Sequence, residues 1–390
     1  MSTPKLIVNN GDDQPLQLAL FTISDDQHPK DGRLTHSIAL WDTAPRFQVY
    51  TNAADREAGK YLKTIERHFM FGPKLYRLRL TPARIERNGV EVEQYPGERE
   101  QLVEEVIYQL ATTRGRLSFD GKDDKDQEGT VTMTFSLYEL REELKRTEHT
   151  FDLYEIKEAL FILQAANVEI SRVDSDPTDG AETRDRVRTA AFPVVKLRER
   201  ANGQDRAIVH LNPLVADALK KLNFRLMNYE LLMRLRGFMP RWLYKRLHAN
   251  VLYFGNDSAV QIVRASEILR DSGVPERKRK RDTLKRITEA VMSLKVAGVI
   301  DDFKTEDIYV GQAKDDIIFT IYLSDSFALE TGQARRKSLE KRLAYRDVMG
   351  EDAKSFQKTK TEHHLRLVRI QERQAAEERA ASPPSPLLES

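Results

Sequence analysis

An α+β fold, built from one succession of elements used twice, is what this sequence predicts. Three observations carry that expectation. The apolar residues switch between the two-residue period of strands and the 3.6-residue period of helices from Lys74 onward. The order opening helix, two further helices and a pair of strands occurs once between residues 98 and 199 and again between 240 and 325. The chain has 390 residues, enough for two ordinary domains with tails. That order is the order of a winged-helix domain. The expected architecture is therefore tandem winged helices, with a flexible N-terminal segment and a polar helical C-terminal extension.

Each element has its own signal. Residues 1–70 hold many turn formers and little sustained periodicity, with HSIALW (36–41) and RFQVY (46–50) as short elements or interaction segments. LYRLRLTPARIERNGVEVEQYPG alternates twice about Asn88-Gly89, so it reads as a hairpin over 74–96. Leu102, Val103, Val106, Ile107 and Leu110 make one apolar stripe on a helix over 98–113. GKDDKDQEG (121–129) is a solvated loop, and VTMTFS (131–136) alternates as a strand. Ser136 and Asp152 are placed to cap helices over 137–145 and 153–167. Strands follow at 167–173 and 187–199, with a polar loop between them.

The second round begins with a strand at 207–213 and a linking helix at 214–222. An opening helix spans 240–254, with Pro240 in its first turn. A short helix spans 260–273, ended by Gly273. A long helix covers 276–298, and strands at 299–311 and 315–325 form a hairpin. Beyond Asp325 the chain is helical and polar, and ASPPSPLLES reads as a disordered tail. The expected division is 1–70, 71–205, 206–330 and 331–390.

Composition narrows the class. Apolar residues make up 40% of the chain, which permits real cores, and charged residues 32%, with a net charge of only +2. There is no cysteine, so disulfides, thiolate metal sites and a cysteine nucleophile are excluded, and a reducing compartment is expected. The N-terminus lacks the apolar core of a signal peptide, and no apolar run approaches the ~20 residues of a membrane helix. A soluble, cytoplasmic, prokaryotic protein is the resulting expectation.

The charges are unevenly spread, and that carries the functional reading. ERKRKRDTLKRITEAVMSLKVAG opens with Arg277, Lys278, Arg279, Lys280, Arg281, Lys285 and Arg286. Leu284, Ile287, Ala290, Val291 and Leu294 then form one apolar face. Such a helix is pinned by its tail and projects a basic head, the polarity of a recognition helix in a major groove. Arginine reads guanine bidentately, and phosphate neutralisation gives steep salt dependence. Two blander readings attach to the same run: a solvated charged face, and a nuclear-localisation signal in a eukaryotic host. The equivalent first helix, 153–166, is apolar with Lys157 as its one base, so it reads as core or as a dimer surface. The bases of that round lie in its wing: Arg184, Arg186, Arg188, Lys196, Arg198 and Arg200. A wing touches backbone or minor groove.

Several strings resemble the iteron-binding plasmid replication initiators. TFSLYELREEL (134–144) and LQAANVEIS (163–171) resemble the first winged-helix core of that family. KRDTLKRITEAVMSLKVAGVIDDF (280–303) resembles its second recognition helix and wing, and residues 78–111 its leading hairpin and helix. The likeness covers roughly 75–323. QLALF, formed by Gln17, Leu18, Ala19, Leu20 and Phe21, matches the bacterial sliding-clamp-binding pentapeptide, with Ala19 where Ser or Asp is usual. An extended peptide of this kind fills an apolar groove with its leucines and phenylalanine. A chance pentapeptide folded back on the domain is the plainer alternative. The resemblance implies binding to direct repeats at a plasmid origin, opening of an A+T-rich element, and recruitment of the replicative helicase, DnaA and the clamp. It also implies a monomer–dimer equilibrium, for which 153–166 and 74–96 are the candidate surfaces. A transcriptional regulator without a replication role is the competing class.

Catalysis finds no support in the residues, and no cofactor or metal is expected. A rolling-circle enzyme needs a tyrosine nucleophile and two histidines separated by one apolar residue, as metal ligands. The close pair here, His363-His364, is adjacent, and neighbouring helical positions point about 100° apart. GxxxxGK[ST] is absent, and Asp301-Asp302 and Asp315-Asp316 read as solvated turns rather than Mg²⁺ ligands.

Overall fold

The structure, a computed structural model, describes residues 34–48, 61–114, 117–120, 130–173, 186–198, 205–220, 225–254 and 260–331. The QLALF peptide, the 121–129 loop, Arg184, Arg200 and the C-terminal extension from 332 lie outside them. The described residues all fall in one compact unit, Met1–Ser338.

The chain enters through β1 (Leu34–Ser37) and a single-turn α1 (Ala39–Thr43). Then come β2 (Ile65–Phe71), β3 (Lys74–Thr81), and the hairpin β4 (Ala83–Arg87) and β5 (Val90–Gln94). Asn88 and Gly89 turn that hairpin with φ of 54° and 74°. Both positive values suit the twist of a tight two-residue turn, which is why Asn-Gly stands there. α2 (Glu98–Arg114) follows, then β6 (Leu117–Asp120) and β7 (Thr130–Ser136).

α3 (Leu137–Arg146) and α4 (Leu153–Ala165) both start from capping boxes. The Ser136 hydroxyl accepts from the Glu139 N–H at 3.0 Å, and the Asp152 carboxylate from that of Glu155 at 2.8 Å. Each such cap is worth about 1 kcal/mol. β8 (Asn167–Arg172), β9 (Arg186–Thr189), β10 (Val194–Arg198), β11 (Arg206–His210) and α5 (Pro213–Lys220) complete this half.

β12 (Arg225–Asn228), α6 (Tyr229–Arg234), α7 (Phe238–Phe254) and β13 (Val260–Arg264) lead into the second half. It is built from α8 (Ala265–Ser272), α9 (Lys280–Val296), β14 (Ile300–Val310) and β15 (Ala313–Leu323). The sheets run β2-β3-β8-β9, β10-β11-β7-β6 and β13-β15-β14, with β1 pairing β12. No described helix is long and apolar enough to cross a membrane.

Several elements differ from the sequence reading. The 74–96 hairpin shrinks to 83–94, because β3 breaks at Pro82 and pairs instead with β2 and β8. Pro82 has no N–H to continue a ladder. The 187–199 strand is two strands in two sheets, β9 on β8 and β10 on β11. Buried Ala190, Ala191 and Phe192 and the imino nitrogen of Pro193 make the break. The 260–273 helix starts only at Ala265, because β-branched Val260, Ile262 and Val263 pair with β15.

A flexible N-terminal segment does not describe residues 34–48, which are a joint in the core. Trp41 and Phe47 are buried, Trp41 against Glu104 of α2 and Phe47 against Phe238 of α7. α2 buries its apolar stripe on one side and Gln101, Glu104, Glu105 and Gln109 on the other. Gln101, Glu104 and Glu105 find partners in the joint. Glu104 accepts from the Trp41 indole and the Tyr108 hydroxyl, both at 2.9 Å, and pairs with Arg46 at 2.8 Å. Lys245 of α7 binds both Glu105 and Asp42, and the Trp242 indole donates to the Thr43 carbonyl at 3.0 Å. Arg241 reaches Gln101, Glu98 and the Leu235 carbonyl. Buried charges persist only when paired in this way. The two halves are therefore held together through α2, α7 and the 38–48 segment.

Candidate nucleic-acid interface

α9 carries the basic run of the sequence on a defined stripe. Thr283, Leu284, Ile287, Ala290, Val291 and Leu294 are buried against the rest of the second half. Opposite them, Arg281, Lys285, Glu289, Met292 and Val296 are exposed, at spacings of three and four. One helix thus buries a greasy face and turns a basic N-terminal half outward.

The basic residues do not all behave alike. The helix begins at Lys280, so Arg277, Lys278 and Arg279 precede it rather than ride on it, and Arg279 is the residue at the cap. Their approach is held by Thr283, whose buried hydroxyl accepts from the Arg277 N–H at 2.9 Å. Lys280 is tied to Asp315 of β15, a hydrogen bond that raises its pKa. Arg281 and Lys285 are loosely paired, at 3.8 Å to Asp282 and 3.9 Å to Glu289. Exposed pairs of that length are weak, so both cations remain available to another anion. Arg286 is the correction: it is half-buried, and burial, aided by Arg277 and opposed by Glu98, lowers its pKa. It turns toward the body of the protein and not outward with Arg281 and Lys285.

The β14–β15 hairpin stands beside α9, turned by Gly311 with Tyr309 and Val310 exposed near its tip. It is acidic along β14, and Asp302 and Asp307 pair with Lys295 and Lys314 at 2.7 and 2.6 Å.

The first half presents a different surface. α4 buries Ile156, Ala159, Leu160, Ile162 and Leu163 and exposes Tyr154, Phe161 and Gln164. Its base, Lys157, is paired with Asp205 at 3.0 Å. The β4–β5 hairpin packs Ala83 and Ile85 onto Ile162 and Ala166. Arg87 and Arg99 both grip Glu158, at 2.8 and 2.7 Å. So the two surfaces put forward as dimer candidates, α4 and this hairpin, cover one another in part within one chain. What α4 leaves open is aromatic, with no free base among its described residues.

Arg186 and Arg188 lie exposed on β9, as a basic wing requires. Lys196 and Arg198 are exposed on β10, in another sheet. Strand register adds two residues that sequence reading passed over. Arg77 aligns with Ser171 and through it with Arg186, and Arg79 aligns with Glu169 and through it with Arg188. The alternation Arg-Leu-Arg-Leu in β3 was the available signal. That alternation marks a strand but does not specify its neighbours, which are β2 and β8. Among the described residues, no group of three or more His, Asp or Glu side chains is placed to hold a metal.

No family model matches the chain, and no curated protein matches it. Among solved structures, the chain is similar to a selenomethionine crystal structure of domains 2 and 3 of RctB. The identity is 7% and the TM-score 0.44, over 72% of this chain and 96% of that one. A second crystal structure of RctB domains 2–3 matches at 7% identity and TM-score 0.41, over 76% and 100%. The Pi initiator protein in complex with iteron DNA matches at 13% identity and TM-score 0.36, over 58% and 91%.

Proposed function

We propose that this protein is an iteron-binding replication initiator, built from tandem winged helices and inserting α9 into the major groove of repeated sites at an origin. The observation that carries the reading is the division of α9. Arg281 and Lys285 are exposed at its head, Lys278 and Arg279 lead into it, and Leu284 through Leu294 anchor it. Exposed arginine on the first turns of an anchored helix is the chemistry that reads guanine edges and phosphates. The helix is preceded by α7, β13 and α8 and followed by the β14–β15 hairpin, the succession of a winged helix. α2, β6, β7, α3, α4, β8 and β9 give a similar succession in the first half, with one added strand.

On this reading the first winged helix spans roughly 71–205 and the second 206–330, and both halves engage one repeat. The Arg184, Arg186 and Arg188 wing touches backbone. Origin binding bends the duplex and opens an adjacent A+T-rich stretch. The protein is not an enzyme. It acts in the cytoplasm by recruiting the sliding clamp through Gln17–Phe21, together with the replicative helicase and DnaA, and it exchanges between monomer and dimer. Within this class, the strings at 78–111, 134–144 and 280–303 resemble the TrfA initiator of IncP plasmids.

The test is a footprint of the protein on the DNA flanking its own gene. Protection of clustered direct repeats is expected, and protection of one isolated palindrome would make it a regulator instead, because two-fold sites mirror two-fold proteins. Replacing Arg279, Arg281 and Lys285 by Ala should abolish the footprint without unfolding the protein. Retained affinity in that variant at physiological salt would refute the role of α9.

A further inference from the structure

We propose that the outer face of the β2-β3-β8-β9 sheet is a second, sequence-independent seat for a DNA phosphodiester backbone, formed by Arg77, Arg79, Arg186 and Arg188. The proposal rests on the reading that the chain binds duplex DNA.

The sheet has two unlike faces. Leu78, Leu80, Val168 and Ile170 lie on the inner one and are buried. Side chains alternate along a strand, so the residues between them point outward. Pairing aligns these in two rows across the sheet. One row is His68, Arg77, Ser171 and Arg186, and the other is Glu66, Arg79, Glu169 and Arg188. The arginines in a row are two strands apart, about 10 Å, and the rows are separated by roughly 7 Å. Four guanidinium groups therefore share a small rectangle on a rigid sheet.

Two carboxylates face four arginines there. Glu169 sits 3.8 Å from Arg79 and 3.5 Å from Arg186, and Glu66 sits 3.8 Å from Arg79. These contacts are too long to be good hydrogen bonds. They hold guanidinium groups in place without saturating their donors. Arg77 and Arg188 have no ion-pair partner among the described residues. Glu169 is buried at 8% exposure, while the side chains of Arg79 and Arg186 are 45% and 50% exposed. The positive excess therefore faces outward. Arginine forks match paired phosphate oxygens, and no base edge is required. The edge strand β2 also packs on α8, where the Met70 N–H donates to Asp271 at 3.0 Å. The arginine sheet is thus joined by direct packing to the helix that precedes α9.

The experiment compares wild type, Arg77→Ala with Arg79→Ala, Arg281→Ala with Lys285→Ala, and Glu66→Gln on a random-sequence duplex across a salt titration. Each phosphate contact contributes about 0.9 to the slope of log K against log salt. The β3 double variant should lose roughly two units of slope and about 10- to 30-fold in affinity at physiological salt. It should lose the same factor on repeat DNA, leaving discrimination intact. Glu66→Gln removes an opposing carboxylate without removing a donor, so it should bind severalfold tighter. An unchanged slope and affinity in the β3 variant, with the α9 variant weakened, overturns this proposal alone. Failure of wild type to bind any duplex overturns both readings. If the β3 variant does not fold by circular dichroism, Glu66→Gln decides, and affinity equal to wild type sinks the proposal.

Discussion

Lys245→Met tests the joint between the two halves. The Lys245 side chain is 2% exposed, and the carboxylates of Asp42 and Glu105 beside it are each 4% exposed. Methionine keeps the length and apolar stem but leaves two carboxylates facing one another with no cation. Breaking a buried pair from one side costs about 3–5 kcal/mol, because the remaining charge is uncompensated. Burial pushes the Glu105 pKa up, and Lys245 opposes that push. Burial disfavours the Lys245 cation too, but Asp42 and Glu105 outweigh it and raise its pKa.

The pH dependence follows from those directions. A carboxyl whose folded pKa is raised is stabilising while protonated and loses that stability as pH rises through its folded value. Lys245 limits this loss in the wild type and stays charged from acid to neutral pH. Without it the loss deepens, so the deficit of the variant should be small in acid and reach its full size near neutrality. Urea unfolding at several pH values, followed by tryptophan fluorescence, measures it directly. The chain has two tryptophans, Trp41 and Trp242, and both are buried in the joint. Adding Asp42→Asn and Glu105→Gln should recover most of the lost stability. A deficit below about 1 kcal/mol, the range of exposed pairs, or one that does not change with pH, would refute the reasoning.

Gly273→Ala should destabilise by roughly 2–5 kcal/mol, the sum of a left-handed backbone and overpacking. Gly273 has φ of 66°, and a β-carbon there would lie 2.7 Å from both Pro45 and Arg67. Gly89→Ala, with φ of 74° and nothing within 4 Å, should cost only the backbone part, about 1–2 kcal/mol. Equal midpoints for the two in urea would contradict the packing argument. Leu20→Ala with Phe21→Ala should weaken binding to an immobilised sliding clamp by surface plasmon resonance while leaving DNA affinity intact. Unchanged clamp affinity would remove the clamp from the proposed function.

Much of the local structure is legible in the residues. Ser136 and Asp152 with a glutamate three places on, and Asn88-Gly89 between alternating runs, act over a few residues and need no distant partner. The apolar stripes of α2 and α9 declared their buried faces for the same reason. The failures share a cause as well. β13 is set as a strand by its partner, β15, which lies more than 50 residues away. Arg286 belongs to the same basic run as Arg281 and Lys285, and only the packing around it shows that it is half-buried.

By itself, then, the sequence determined the main helices, their caps and the Asn88-Gly89 turn, and the concentration of bases at the head of α9. Tertiary structure alone decided that 34–48 is a core joint between α2 and α7, and that Arg281 and Lys285 face outward while Arg286 does not. It also decided that Arg77 and Arg79 share a face with Arg186 and Arg188. Helical periodicity and capping depend on residues three or four apart. Strand register and ion pairing depend on residues brought together from 15 to 140 positions away, and only the folded chain sets those distances.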